Sequence, residues 1–257
     1  MIRESEAPHA ADPHGWSGVA EGWAELWGGF AEPAWRALAD VTGIGPSSRT
    51  LDVGCGSGEF VAFLDRLGAS AAGADPDPGM VGVARSRVSG AEVRVGDAER
   101  LPWPDAAFDV VTAINALQFA DDTDDAVAEL VRVTVPGGLV GISNWAESDR
   151  NDLGTIDAAV AAAAGEDVSK DGDLRKPGGL EALLGDGGLE VVAAGLVEVV
   201  WEAPDDDVLV RGVLLGEEPQ VVAATAATVI EAARPFRTSG GYRFVNAFRY
   251  AAARKPG

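Results

Sequence analysis

Three glycines spaced two residues apart close an apolar run in LDVGCGSGEF, residues 51–60, where Gly54, Gly56 and Gly58 stand between a strand pattern and a helix pattern. Glycine lets a backbone turn sharply and approach a ligand, and a helix start presents N–H groups with no partner inside the helix. The run therefore reads as a binding loop, against the plainer alternative of a tight strand-to-helix turn. It is not the dinucleotide fingerprint G-x-G-x-x-G, because Glu59 stands where the third glycine would fall. Asp75 ends the next apolar run, ASAAGAD, 21 residues beyond Gly54. A carboxylate there can accept both hydroxyls of a ribose, which by itself suits a dinucleotide equally well. Asp97, after AEVRVG, either reaches a ligand crevice or caps a turn.

Other chemistries find little support. Cys55 is the single cysteine, and both histidines, His9 and His14, fall in the first 15 residues, so no zinc spacing exists. His14 as a base delivered by a folded-over tail is the lesser reading beside a solvated residue. Asp121, Asp122, Asp124 and Asp125 precede a helix pattern and read as cap and solvated charge, so no metal is expected. Twenty Lys and Arg against 41 Asp and Glu give a net charge of −21, a field that repels nucleic acid and anionic lipid. With no basic leader and no apolar run of spanning length, the expectation is an unexported cytoplasmic protein with no membrane partner.

The elements that must position these residues follow from periodicity. Residues 1–15 lack any pattern and read as a tail. Trp16, Trp23 and Trp27, spaced seven and four apart, predict one helix to about Phe30, and a second helix runs from Pro33 to Val41 before Gly43. Residues 16–44 thus form a helical lid. Apolar runs RTLDV, ASAAGA, AEVRV, FDVVTAI and GLVGISN then alternate with helical segments near 59–67, 79–88 and 123–134, the pattern of a parallel sheet covered on both faces. Residues 146–176 and 205–241 read as insertions that shape an acceptor site around a core at 45–145. Two further strands, LEVVAAGLVEVVW and YRFVNAFRYAAAR, close a single domain.

Taken in order, LDVGCGSGEF, GADPDPGMVGVAR, GDAERLPWPDAAFDVV and ELVRVTVPGGLVGISNW resemble the class I S-adenosylmethionine-dependent methyltransferases, in particular their small-molecule, quinone-pathway-like branch. The resemblance is strongest over residues 45–145. It implies a Rossmann-like, seven-stranded, mostly parallel sheet whose last strand is antiparallel. It also implies a cofactor site of Asp52, Gly54, Cys55, Gly56, Gly58, Asp75, Pro76, Met80, Asp97, Ala98 and Asn115. In that likeness the methionine end lies on Gly54 and Gly56, the ribose on Asp75, the adenine between Pro76 and Met80 with Asp97 and Ala98 at its amino edge, and Asn115 by the methyl. Related enzymes often carry histidines after the fourth strand, where this chain has Asn115-Ala116-Leu117-Gln118-Phe119.

The expected activity is methyl transfer from S-adenosylmethionine to a small, hydrophobic or aromatic acceptor, with secondary metabolism favoured over housekeeping. Gln118, Trp145, Trp16, Arg237 and Tyr242 are the acceptor-site candidates, and the Trp16, Trp23 and Trp27 face is weighted toward packing over a substrate box. No general base is assigned. The alternatives are a cyclase or decarboxylase that holds the cofactor structurally, a non-catalytic module of the same fold and, more distantly, a nicotinamide oxidoreductase. A second copy of the chain is left open as a partner.

Overall fold

The computed structural model describes residues 15–167 and 170–257. It opens with two helices, α1 (Ala20–Leu26) and α2 (Glu32–Thr42). Pro33 in the first turn of α2, and Gly43 in the left-handed region just past its end, start and stop that helix where a missing N–H and a missing Cβ do least harm. Strands and helices then alternate: β1 (Arg49–Val53), α3 (Glu59–Arg66), β2 (Ser70–Asp75), α4 (Pro78–Arg87), β3 (Glu92–Val95), β4 (Phe108–Ile114), α5 (Thr123–Val133) and β5 (Thr134–Trp145). The second half comprises α6 (Leu153–Ala164), α7 (Gly179–Asp186), β6 (Glu190–Ala203), α8 (Asp206–Val213), α9 (Pro219–Ala233), β7 (Arg237–Thr238) and β8 (Gly241–Arg254).

The sheet order is β3-β2-β1-β4-β5-β8-β6, with β7 paired to β8. The first five strands are parallel, and β8 runs antiparallel to both β5 and β6. The Rossmann-like expectation holds, with one addition: the two-residue β7 makes eight strands, and is too short to leave a periodic signal. Leu51, Val111, Val140 and Ala251 pack toward α5 and α7 in the main core, while Gly141 and Thr112 lie against Leu38 of α2 on the other face. Strands buried on both faces explain why their sequences are continuous apolar runs.

The single long helix expected for Trp16 to Phe30 is absent. Helix α1 has seven residues, Trp16 lies in the turn before it and Trp27 is its C-cap. Gly15 to Gly18 and Gly28-Gly29 flank a stretch too short to hold a helix by its own propensity, so tertiary contacts decide its length. Trp27 stacks on Trp201 of β6 at 4.5 Å and 7°, and its Nε1 donates to the Gly212 carbonyl at 3.1 Å. Trp201 Nε1 in turn donates to the Leu26 carbonyl at 2.9 Å. His9 and His14 lie outside the described residues. No helix among the described residues is long and apolar enough to cross a membrane.

Candidate functional site

Each parallel strand delivers a residue to one cavity at its carboxyl end: Gly54 after β1, Asp75 on β2, Asp97 after β3, Asn115 after β4 and Trp145 on β5. The chain reverses its direction of growth between β1 and β4, the point at which open α/β sheets leave a crevice. The cavity measures about 340 Å³. Gly54 is required there, since it adopts φ 71° and a Cβ on it would lie 2.3 Å from the Ala116 Cβ.

The floor is acidic. Asp75 accepts the Gly56 N–H at 2.9 Å on one oxygen and the Asp77 N–H at 3.0 Å on the other, which fixes its plane and leaves each oxygen a free lone pair. Burial pushes its carboxyl up to about 6, against the lowering effect of those two bonds. Asp52 is buried beneath the loop, takes the Thr112 hydroxyl at 2.9 Å, and is pushed up to about 8 by loss of water. Burial likewise raises the Cys55 thiol, which is therefore a poor nucleophile. Asn115 holds φ 52°, its Oδ1 accepts the Ser143 hydroxyl at 3.3 Å, and its carbonyl accepts Gln118 Nε2 at 3.2 Å.

The roof is aromatic. Trp16 meets Trp23 edge-on at 5.5 Å and Phe119 at 5.8 Å, and Trp23 stacks on Trp27 at 6.1 Å. Phe30 lies 5.4 Å from Trp145, and Trp145 stands edge-on to Phe248 at 4.8 Å. Val213 and Leu215, at the end of α8, close the side. The roof is tied to the floor through Asp77, the N-cap of α4, which accepts from Ser17 N at 2.9 Å and Ser17 Oγ at 2.6 Å while also accepting from Gly79 N and Met80 N.

The cavity gathers most of the residues that the sequence singled out. Asp52, Gly54, Cys55, Gly56 and Asp75 line it, as do Pro76, Met80, Asp97, Ala98 and Asn115, and on the acceptor side Gln118, Trp145 and Trp16. Asp97 also caps its own turn by accepting Glu99 N at 3.0 Å. Three candidates are corrected. Gly58 does not line the cavity; it is the left-handed cap of α3, held bare by Ala84 of α4, whose Cβ would lie 2.8 Å from any added Cβ. Tyr242 is buried among the apolar side chains behind α8 and α9 and donates to Asp206 at 2.6 Å. Arg237 sits over that ring, 5.3 Å away, and pairs with Asp206 at 3.6 Å. Both belong to the β7–β8 end, away from the cavity. Trp23 and Trp27, weighted toward packing, do both: they pack and they line. Glu59, Asp77, Phe30 and Phe119 were missed; Asp77, in a D-P pair opening a helix, carried a cap signal that did not reveal its second partner. Asp122 is the N-cap of α5, as the acidic run suggested.

Residues 51–142 match the family model described as a methyltransferase domain. The malonyl-[acyl-carrier protein] O-methyltransferase of Serratia marcescens is 38% identical over 109 residues, 42% of this chain and 43% of that protein. The demethylmenaquinone methyltransferase of Mycolicibacterium paratuberculosis is 39% identical over 116 residues, 43% of this chain and 48% of that protein. The likeness to methyltransferase domains is thus carried by residues 51–142. The chain spans less than half the length of both relatives. Among solved structures, the [4+2]-cyclase SpnF matches with a TM-score of 0.61 at 23% identity, covering 90% of this chain and 84% of that one, and shows the fold.

The lining of the cavity fits S-adenosylmethionine. Six carboxyl groups border the cavity, from Asp52, Glu59, Asp75, Asp77, Asp97 and Asp121, of which Asp52 keeps its proton at neutral pH and Glu59 pairs with Arg87, and no Lys, Arg or His lines it among the described residues. A cofactor whose sulfonium and ammonium outweigh its one carboxylate meets a field of the opposite sign.

Proposed function

We propose that the chain is an enzyme that moves a methyl group from S-adenosylmethionine to a small organic acceptor, a secondary metabolite in preference to a housekeeping substrate. The observation that carries this reading is the continuity of the cavity: its acidic floor and its aromatic roof enclose one space, so donor and acceptor can be held against each other. Bound on the floor, S-adenosylmethionine supplies an electrophilic methyl carried by a good leaving group. Asp75 holds the ribose diol, Gly54 and Gly56 let the backbone approach the methionine end, Asp97 and Ala98 border the adenine, and Asn115 faces the reacting region. Trp145, Gln118 and Trp16 orient the acceptor. With an acceptor held beside it, displacement would join the acceptor's lone pair to the methyl carbon as the carbon–sulfur bond broke, with sulfur keeping the electron pair and any proton on the attacking atom passing to solvent. This displacement asks chiefly for alignment, to which the aromatic roof over the floor contributes.

Mass analysis after incubation with methyl-labelled cofactor and host extract tests the reading. Labelled product together with S-adenosylhomocysteine supports it; neither, from folded protein, rejects it. The cyclase fold neighbour favours one second reading, a rearrangement that keeps the cofactor intact, since one fold hosts unrelated chemistries. That reading requires substrate turnover without S-adenosylhomocysteine.

A further inference from the structure

Resting on the methyltransferase reading, we infer that the acceptor is a ring-bearing hydrophobic molecule with no anionic group: the site does not take a carboxylate, a phosphate or a malonyl-type half ester.

The roof is built for flat apolar matter. Trp23, Trp145 and Phe30 are each partly accessible in a wall that also holds Trp16, Phe119, Val213, Leu215 and the polar Gln118. The faces of large aromatic rings that line the cavity favour another ring, or a cation, and repel negative charge through their quadrupoles. The floor adds the carboxylates of Asp75, Asp77, Asp97 and Asp121, and among the described residues nothing basic faces them from within the cavity. The basic groups nearby are committed elsewhere. Arg87 pairs with Glu59 at 2.9 Å and donates to the Ser57 carbonyl at 3.0 Å, from beneath the floor. Arg211 of α8 pairs with Glu25 at 3.0 Å, outside the wall formed by Gly212 and Val213.

An acceptor carboxylate would thus give up part of its water next to like charges, with no guanidinium or ammonium of the described residues to meet it, which is a costly way to bury an ion. The malonyl group named for the Serratia relative carries such a carboxylate. The 109 matched residues amount to 42% of this chain, so the likeness does not extend over the whole wall built by α1, α2 and α8. Similarity in the cofactor half is therefore compatible with a different acceptor charge.

The experiment uses the full chain and three one-ring probes of nearly equal size: benzyl alcohol, benzylamine and benzoate. Titration with S-adenosylhomocysteine by calorimetry comes first, and lack of binding there counts against the methyltransferase reading itself. Ligand-observed NMR then follows each probe with the cofactor product present. The expected result is contact for the alcohol and the amine, with benzoate weaker by about tenfold or more. Benzoate binding as well as its partners overturns the inference, and so does failure of all three, because an open ring site is its premise. Trp145→Leu, or Trp23→Leu should the first variant not fold, should weaken the alcohol and amine signals while leaving the S-adenosylhomocysteine isotherm in place. Unchanged probe signals in a folded variant would put the ring site elsewhere and overturn it too.

Discussion

Ser17 donates to Asp77 twice, through its backbone N–H and its hydroxyl, at 2.9 and 2.6 Å, across 60 residues of chain. Asp77 spends the same carboxylate on Gly79 and Met80 at the start of α4. One side chain therefore caps a core helix and fastens the N-terminal segment over the Asp75 end of the cavity. Ser17→Ala removes the hydroxyl bond and keeps the cap. We expect cofactor affinity to fall about fivefold, roughly 1 kcal/mol for a partly exposed charged bond, with thermal unfolding little changed. Calorimetry beside a melting curve checks it; Asp77→Ala should lower both, because about 1 kcal/mol of helix capping goes with it.

Asp75→Ala leaves the Gly56 and Asp77 amides without their acceptor and the ribose without a carboxylate. Each lost charged bond is worth about 1.5–3 kcal/mol, so S-adenosylmethionine and S-adenosylhomocysteine should both weaken by tenfold or more. Equal affinity in a folded variant, measured by calorimetry, would remove Asp75 from the site.

Asp52 gives a pH signature. Its carboxyl is raised from 3.8 to about 8 on folding, so the folded chain holds a proton that the unfolded chain releases. That contribution to stability is complete below pH 4 and is lost as pH rises through 8, with Asp75 acting the same way up to about 6. Urea unfolding of the cofactor-free chain should show a loss on the order of a few kcal/mol between pH 5 and 8, and Asp52→Asn should flatten its upper part. A wild-type curve that rises over this interval contradicts the assignment.

Trp145→Ala separates the two halves of the cavity. With the indole gone from beside Phe30 and Phe248, acceptor KM should rise roughly tenfold, for the loss of an aromatic contact and its buried area, while cofactor affinity moves far less. Kinetics in the true acceptor, paired with cofactor titration, read both quantities.

The floor was more legible in the sequence than the roof, of which Trp16, Gln118 and Trp145 were named without their arrangement. Gly54, Asp75, Asp97 and Asn115 each follow an apolar run, and strand ends in a parallel sheet share one edge, so their order in the chain carries their place in space. Gly58 sat in the same motif, yet only the approach of Ala84 shows that its bareness serves the packing of α3 on α4. Tyr242 and Arg237 were misplaced because their position depends on where an insertion folds, and the period of two in β8 says which residues share a face but not what covers it. The tryptophans drew attention by spacing, but their arrangement comes from Trp201 and Trp145, more than a hundred residues away, which no local pattern records.

The near-parallel indoles of Trp27 and Trp201, 4.5 Å apart, give the protein an optical gauge of its own. Rings at that separation share their excitation, so their ultraviolet circular dichroism and emission differ from those of two separate tryptophans. The pair joins the segment that covers the cavity to the sheet behind it, and any departure of that segment parts the rings. A departure of that segment from the sheet would therefore be visible in the unlabelled chain, in real time, by its circular dichroism and emission.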